Sequence, residues 1–214
     1  MDSQNLYLYP MSLLIRIHPD NPQERLITQV VERLEKGAII IYPTDTLYAF
    51  GCSIFQPKAI ERIARIKNVQ VEKARMSFIC NDLSDLSLYA RQVDTPVFRL
   101  LKQHLPGAFT FILPASRLVP KIFHNKKATI GLRIPDNRIA RAIVEKLGHP
   151  LLSTTLPGEM VEDYTDPEIM QENFDNLVDI VVDGGTGGME PSTIIDLTGD
   201  EPVVIREGKG EWNL

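Results

Sequence analysis

Residues 38–42, Ala-Ile-Ile-Ile-Tyr, are apolar at every position, rich in β-branched side chains, and followed at once by Pro43. A strand with one wet face alternates polar and apolar residues. This one does not, so it must be covered on both faces, and the proline stops its ladder. The covering layers are helices, which makes a layered α/β fold the expectation. Residues 22–36 place Leu26, Ile27, Val30, Val31 and Leu34 at helical spacing and end at Gly37. Residues 58–67 repeat the pattern with Ile60, Ile63, Ala64 and Ile66.

Along the rest of the chain, residues 12–17 read as an edge strand and residues 43–57 as a long loop crossing the end of the sheet. Further strands are expected at 76–80, 109–113, 129–134, 151–154, 180–182, 192–197 and 203–206. Helices are expected near 83–89 and 96–104, and from a cap at Asn137 to Gly148. The last three strands have no helix between them, so the sheet should be mixed and not purely parallel. The expected architecture is a single α/β domain at 12–210, a twisted mixed β-sheet with helices on both faces, flanked by a flexible arm at 1–11 and a tail at 211–214.

Composition narrows the function classes. No apolar run nears the length of a membrane span, and the start of the chain lacks a basic, apolar signal pattern, so a cytoplasmic protein is expected. Cys52 and Cys80 read as buried small hydrophobes and not as a disulfide. His18, His104, His124 and His149 never fall at metal-ligand spacing, so no protein-bound metal is expected. The net charge of -5 divides unevenly: residues 1–150 carry 21 Lys and Arg against 13 Asp and Glu, residues 151–214 carry 2 against 15. A basic first part either presents a positive field to phosphates or is scattered surface charge.

In open α/β sheets ligands settle where loops leave the strand ends. Four such loops stand out: YPTDTLYAFG (42–51), LSTTLPG (152–158), DGGTGG (183–188) and PST (191–193). Their hydroxyls and glycine amides can bind phosphate or carboxylate oxygens. The Gly-Gly-Thr-Gly-Gly run is either a turn or a phosphate cradle, and Ser153 and Thr155 are either ligands or strand-end hydroxyls. Lys67, Lys73, Arg75, Arg133 and Arg206 are candidate cations for a triphosphate, Arg133 and Arg206 foremost because each ends an apolar strand. A surface salt bridge is the alternative for each. Asp45 is the best acid in these loops, with a turn or cap role favoured over catalysis. P-loop, dinucleotide and Ser-His-Asp patterns are absent.

YPTDTLYAFGC (42–52) resembles the YPTET-x-YGLGC signature of the YrdC-like family, and PGAFTFIL, IGLRIP, PSTIIDLT and VVIREG follow in that family's order. The resemblance runs from about residue 12 to residue 210. It implies the YrdC-like fold and kinship with threonylcarbamoyl-AMP synthases, which join L-threonine, bicarbonate and ATP into the intermediate that modifies adenosine 37 of certain tRNAs. It implies that Thr44, Thr46 and Tyr48 lie by the threonine substrate, and that Lys67 and Arg133 are catalytic. Lys67, Lys73, Arg75, Arg133, Ser153, Thr155, Ser192, Thr193 and Arg206 would hold the nucleotide. Mg²⁺ would arrive with ATP, and double-stranded RNA or tRNA is an implied partner.

Two departures stand against the synthase pattern. The family's K-x-R is Lys67-Asn68-Val69 here, and its S-A-N is Ser153-Thr154-Thr155. A lost charged partner to phosphate costs ~1.5–3 kcal/mol, one to two decades. Lys73 or Arg75 is the candidate replacement. RIARIKN, FICNDLSDLSLYA and LSTTLPG resemble the YciO branch of the family. Three functions follow from the resemblance: a nucleotide- and RNA-binding protein with weak or altered synthase chemistry, a fully active synthase, or a non-enzymatic RNA- or ribosome-associated module. Pyrophosphate release that needs L-threonine and bicarbonate separates the enzyme from the binder, and salt-sensitive binding tests RNA.

Overall fold

A computed structural model describes residues 12–157 and 164–213; the proposed arm at 1–11 and Gly158 of the LSTTLPG loop fall outside them. In chain order the elements are β1 (Leu13–Arg16), α1 (Glu24–Glu35), β2 (Ile40–Tyr42), β3 (Ala49–Ser53), α2 (Pro57–Ile66), β4 (Ser77–Ile79), α3 (Leu83–Tyr89) and α4 (Thr95–His104). There follow β5 (Phe109–Pro114), β6 (Thr129–Arg133), α5 (Arg138–Leu147), β7 (Leu151–Thr155), α6 (Pro167–Phe174), β8 (Ile180–Asp183), β9 (Thr193–Asp196) and β10 (Val203–Arg206). The strands join in one sheet of order β1-β8-β2-β3-β7-β4-β6-β5-β9-β10.

The sheet is mixed, as the closing run of strands without helices implied: β4 runs parallel to β6 and antiparallel to β7. The apolar run at 38–42 is buried throughout, with β2 held between β8 and β3. One face of the sheet carries α2, α3, α4 and α6 over Ile41, Phe50, Phe78, Phe111 and Leu152. The other carries α1 and α5 over Ile40, Tyr42, Ile79, Leu151 and Val182. A fully buried aliphatic or aromatic side chain contributes about 1.5–3 kcal/mol, so these two clusters supply much of what holds the sheet. Cys52 and Cys80 are buried free thiols.

Two expectations fail. Residues 43–57 are not a long loop: β3 lies within them and forms an antiparallel hairpin with β2, Ile40 opposite Gly51. Its sequence, Ala-Phe-Gly-Cys-Ser, has one residue of high strand propensity, and small residues are required there because a Cβ on Gly51 would meet Tyr42 and Leu151 at 2.9 Å. The helix α6 was also not expected. It buries Pro167, Met170 and Phe174 but leaves Ile169 exposed, so its few apolar residues leave little period to see. Its start was legible: Asp166 caps Glu168 N and Pro167 opens the first turn. At α5 the reading holds, with the Asn137 side chain accepting from Ala140 N and Gly148 ending the helix at φ 73°.

The helices of the second face cover only part of it. The α1–α5 layer lies over β1, β8, β2 and the near ends of β3, β7 and β4. Beyond it, β7, β4, β6, β5 and β9 present small or polar residues: Ser153, Ser77, Gly131 and Thr110, then Ile194. The first three are register partners on adjacent strands. An uncovered stretch of sheet with short side chains is a floor. Among the described residues no helix is long and apolar enough to cross a membrane.

Candidate functional site

Above that floor lies a cavity of about 660 Å³, well within the range of small-molecule sites. Val71, Met76, Ile122, Phe123, Ile194 and Ile205 form its apolar walls. Its polar lining includes the hydroxyls of Thr46, Ser153 and Ser192 and the guanidiniums of Arg75, Arg133 and Arg206.

Each group is placed by identifiable contacts. Gly51 leaves room for the Tyr42 ring to reach across β3, where its hydroxyl donates to Ser153 Oγ at 2.8 Å. Burial pushes the Tyr42 phenol above its ordinary range, so it keeps its proton and remains the donor. The Ser153 proton is then left to donate into the cavity. Tyr42→Phe is expected to cost about 1–2 kcal/mol in a urea melt and to weaken anion binding severalfold.

Arg133 is 7% exposed. Its Nη2 donates to Thr46 Oγ1 at 2.8 Å and pairs with the Asp45 carboxylate. The alternative of a surface salt bridge is thus corrected: the pair is real and buried, and Asp45 is more than a turn residue. Arg206 Nε and Nη2 hold the Ser192 carbonyl at 3.1 and 2.7 Å, and Thr110 Oγ1 meets Ser192 Oγ at 2.9 Å. A register shift between Val204 and Arg206 brings the consecutive residues Ile205 and Arg206 to the same cavity. The Arg206 guanidinium is pushed down from its ordinary value by burial first, then by the positive charges of Arg133 and Arg75. Arg133 and Arg75 therefore both stand near Arg206, and Arg75 adopts φ 44°, a costly region for a residue with a Cβ.

Not every sequence candidate comes to this cavity. Thr46, Tyr48, Arg75, Arg133, Ser153, Thr155, Ser192 and Arg206 line it, whereas Thr44, Lys67, Lys73 and Thr193 do not. Thr44 Oγ1 donates to Leu47 O and accepts from Thr46 N, a local turn that presents Thr46 instead. Lys67 Nζ is occupied by the Thr155 carbonyl, and partial burial lowers its pKa. Lys73 is exposed, outside the wall. Thr193 shares the Ile195 face of β9, and its hydroxyl serves Gly210 O and Gly208 N. Val69, at the position of the family's arginine, is 39% exposed and does not line the cavity, whereas Arg75 does.

The Gly-Gly-Thr-Gly-Gly run is a turn and not a cradle. The amides of its four glycines are spent within the protein: Gly184 N donates to Tyr48 Oη, Gly185 N to Asp183, Gly187 N to Thr165 O and Gly188 N to Thr46 O. A Cβ on Gly188 would lie 2.3 Å from Thr46 O. The run thus seats the Thr46 and Tyr48 side of the site. Sequence reasoning missed the wall at Ile122 and Phe123, whose neighbours look like loop residues, and Lys209, whose Nζ donates to Asp45 O at 2.6 Å.

Hydroxyls and three guanidiniums over a small-residue floor, walled by apolar side chains, give this α/β protein a cavity that offers charged donors beside apolar surface. The family model for Sua5, YciO and YrdC, described as "Telomere recombination", matches residues 32–208, and the chain belongs to that family. It is 47% identical over 204 residues to the uncharacterized protein YciO of Escherichia coli K12, covering 94% of this chain and 98% of that one. The crystal structure of E. coli YciO superposes with a TM-score of 0.87. Pyrococcus abyssi threonylcarbamoyl-AMP synthase is 26% identical over 200 residues, 92% of this chain and 58% of that one. The crystal structure of P. abyssi Sua5 complexed with L-threonine has a TM-score of 0.83 at 25% identity, over 92% of this chain and 58% of that one.

Proposed function

We propose that this protein binds an adenine nucleotide with its phosphates among Arg75, Arg133 and Arg206, and that it carries weak or altered threonylcarbamoyl-AMP synthase chemistry. The supporting observation is the convergence of three guanidiniums on a hydroxyl-bearing floor, where Arg133–Asp45 is the ion pair they make among the described residues. An arriving phosphate gains charge-assisted hydrogen bonds from groups already in position. The apolar walls suit a base. ATP would bring Mg²⁺ with it, since no dedicated protein site is needed for such an ion. L-threonine, the ligand of the P. abyssi Sua5 crystal, would lie toward Thr46 and Tyr48, with bicarbonate between it and the phosphates. The chemistry would rest on orientation and electrostatics, with no covalent intermediate. Lys67, spent on the Thr155 carbonyl, holds the end of β7 in this reading and does not act on substrate.

The test is pyrophosphate release from ATP. Slow release that requires both L-threonine and bicarbonate is the expected result. Protection by ATP against thermal unfolding without any release at high protein concentration would leave binding without synthesis. No protection at all would remove the nucleotide.

A second reading, RNA binding, is favoured by one surface. Arg91, Arg117, Lys121, Lys126 and Lys127 are exposed, the three lysines flanking the Ile122–Phe123 wall in sequence, and none makes an ion pair among the described residues. Unpaired cations release counterions from a phosphate backbone. Affinity for a short duplex RNA should fall at least tenfold between 50 and 200 mM salt, measured by fluorescence anisotropy; binding that ignores salt would exclude this surface.

A further inference from the structure

We propose that Asp45 is a built-in counter-anion, which occupies the Arg133 guanidinium in the empty cavity and sets how much negative charge the site admits. The inference rests on the anion-binding reading above and deepens it. Arg133 and Asp45 form a pair with side chains only 9% and 10% exposed, so their charges interact with little screening from water. The same guanidinium nitrogen serves Thr46 Oγ1, and Arg133 Nε is buried without a hydrogen-bond partner among the described residues. The guanidinium therefore has more donors than acceptors, and Asp45 answers only part of its demand. Arg206 and Arg75 add positive charge close enough to act on each other. Lys209 fixes the Asp45 backbone by donating to its carbonyl, so the carboxylate is held at the site from a second direction.

Two consequences follow from this placement. With no ligand, Asp45 offsets one of the three cations and keeps the cavity folded around them. With a ligand, the same carboxylate repels each added negative charge, so the site's preference for a triphosphate over a monophosphate is smaller than three arginines alone would give. Removing the charge without changing the shape should reverse that restraint. A residue with a merely structural role would do the opposite, since its loss would loosen the site for every ligand alike.

The experiment is calorimetric titration of wild type and Asp45→Asn with adenosine, AMP, ADP and ATP, and with inorganic pyrophosphate. The expected result is unchanged adenosine affinity and a gain that grows with ligand charge, reaching about tenfold for ATP and for pyrophosphate. Equal change across the series, or weaker binding of ATP and pyrophosphate by Asp45→Asn, would overturn the inference. Should nucleotides fail with both proteins while pyrophosphate still tightens in the variant, the nucleotide reading falls and the counter-anion stands. Pyrophosphate that does not tighten overturns the counter-anion whatever the nucleotides do. Asp45→Ser, neutral and smaller, gives the same readout if Asp45→Asn does not fold.

Discussion

Arg133→Gln is expected to weaken ATP binding by about a hundredfold, the loss of roughly 3 kcal/mol from charge-assisted contacts to phosphate. The same change strands the Asp45 carboxylate, which is nearly buried and loses its ion-pair partner. Removing one member of a buried pair costs about 3–5 kcal/mol of stability. Urea denaturation should show that fall, and the double variant Arg133→Gln with Asp45→Asn should recover much of it, because neither partner is then left charged and alone. Recovery of stability without recovery of ATP affinity separates folding from function. An Arg133→Gln protein that binds ATP like wild type would mean that the guanidinium does not meet the ligand.

Gly51→Val is expected to damage stability and ligand binding together. A Cβ at this position would stand 2.9 Å from Leu151 Cδ2 and from Tyr42 Cε1. The strand must move or the Tyr42 ring must leave its place over β3, at a cost of about 3 kcal/mol, the upper part of the range for overpacking. The effect should not stop at stability. Displacing Tyr42 removes the donor to Ser153 Oγ, so the surviving folded protein should also bind ATP less well. The denaturation midpoint and the ATP affinity of one purified variant measure both effects, and a stable Gly51→Val protein with native affinity would show that Tyr42 does not organise the floor.

What could be read from the chain follows the physics of each signal. The interior strand at 38–42 was legible because continuous apolar β-branched runs have few other uses, and α1, α2 and α5 because their buried residues recur at helical period. β3 was hidden because what it must satisfy is steric and comes from across the sheet, from Tyr42 and Leu151. α6 was hidden because it is short and its Ile169 sits off the buried face, which blurs the period. The candidate site was legible as a set of residue types at strand ends, but not as a partition among them. Thr44 and Thr46 are chemically alike, and only the turn decides that Thr46 faces the cavity. Lys73 and Arg75 were equal candidates, and the backbone at φ 44° accompanies the one that reaches it. Glycine amides look available in sequence until their acceptors are known, and those of residues 184–188 are taken. Lys209 lies outside every family motif, so only the fold brings it to Asp45.

The central claim is that the uncovered part of the sheet, with Arg75, Arg133 and Arg206 gathered over it, is where an anionic ligand is held. A crystal structure of the protein soaked with ATP tests it most directly. The expected result is phosphate oxygens within hydrogen-bonding distance of Arg133, Arg206 and the Ser153 hydroxyl, with the base against Ile122 and Phe123. ATP bound on another surface, or a cavity left open at saturating ATP, would contradict it.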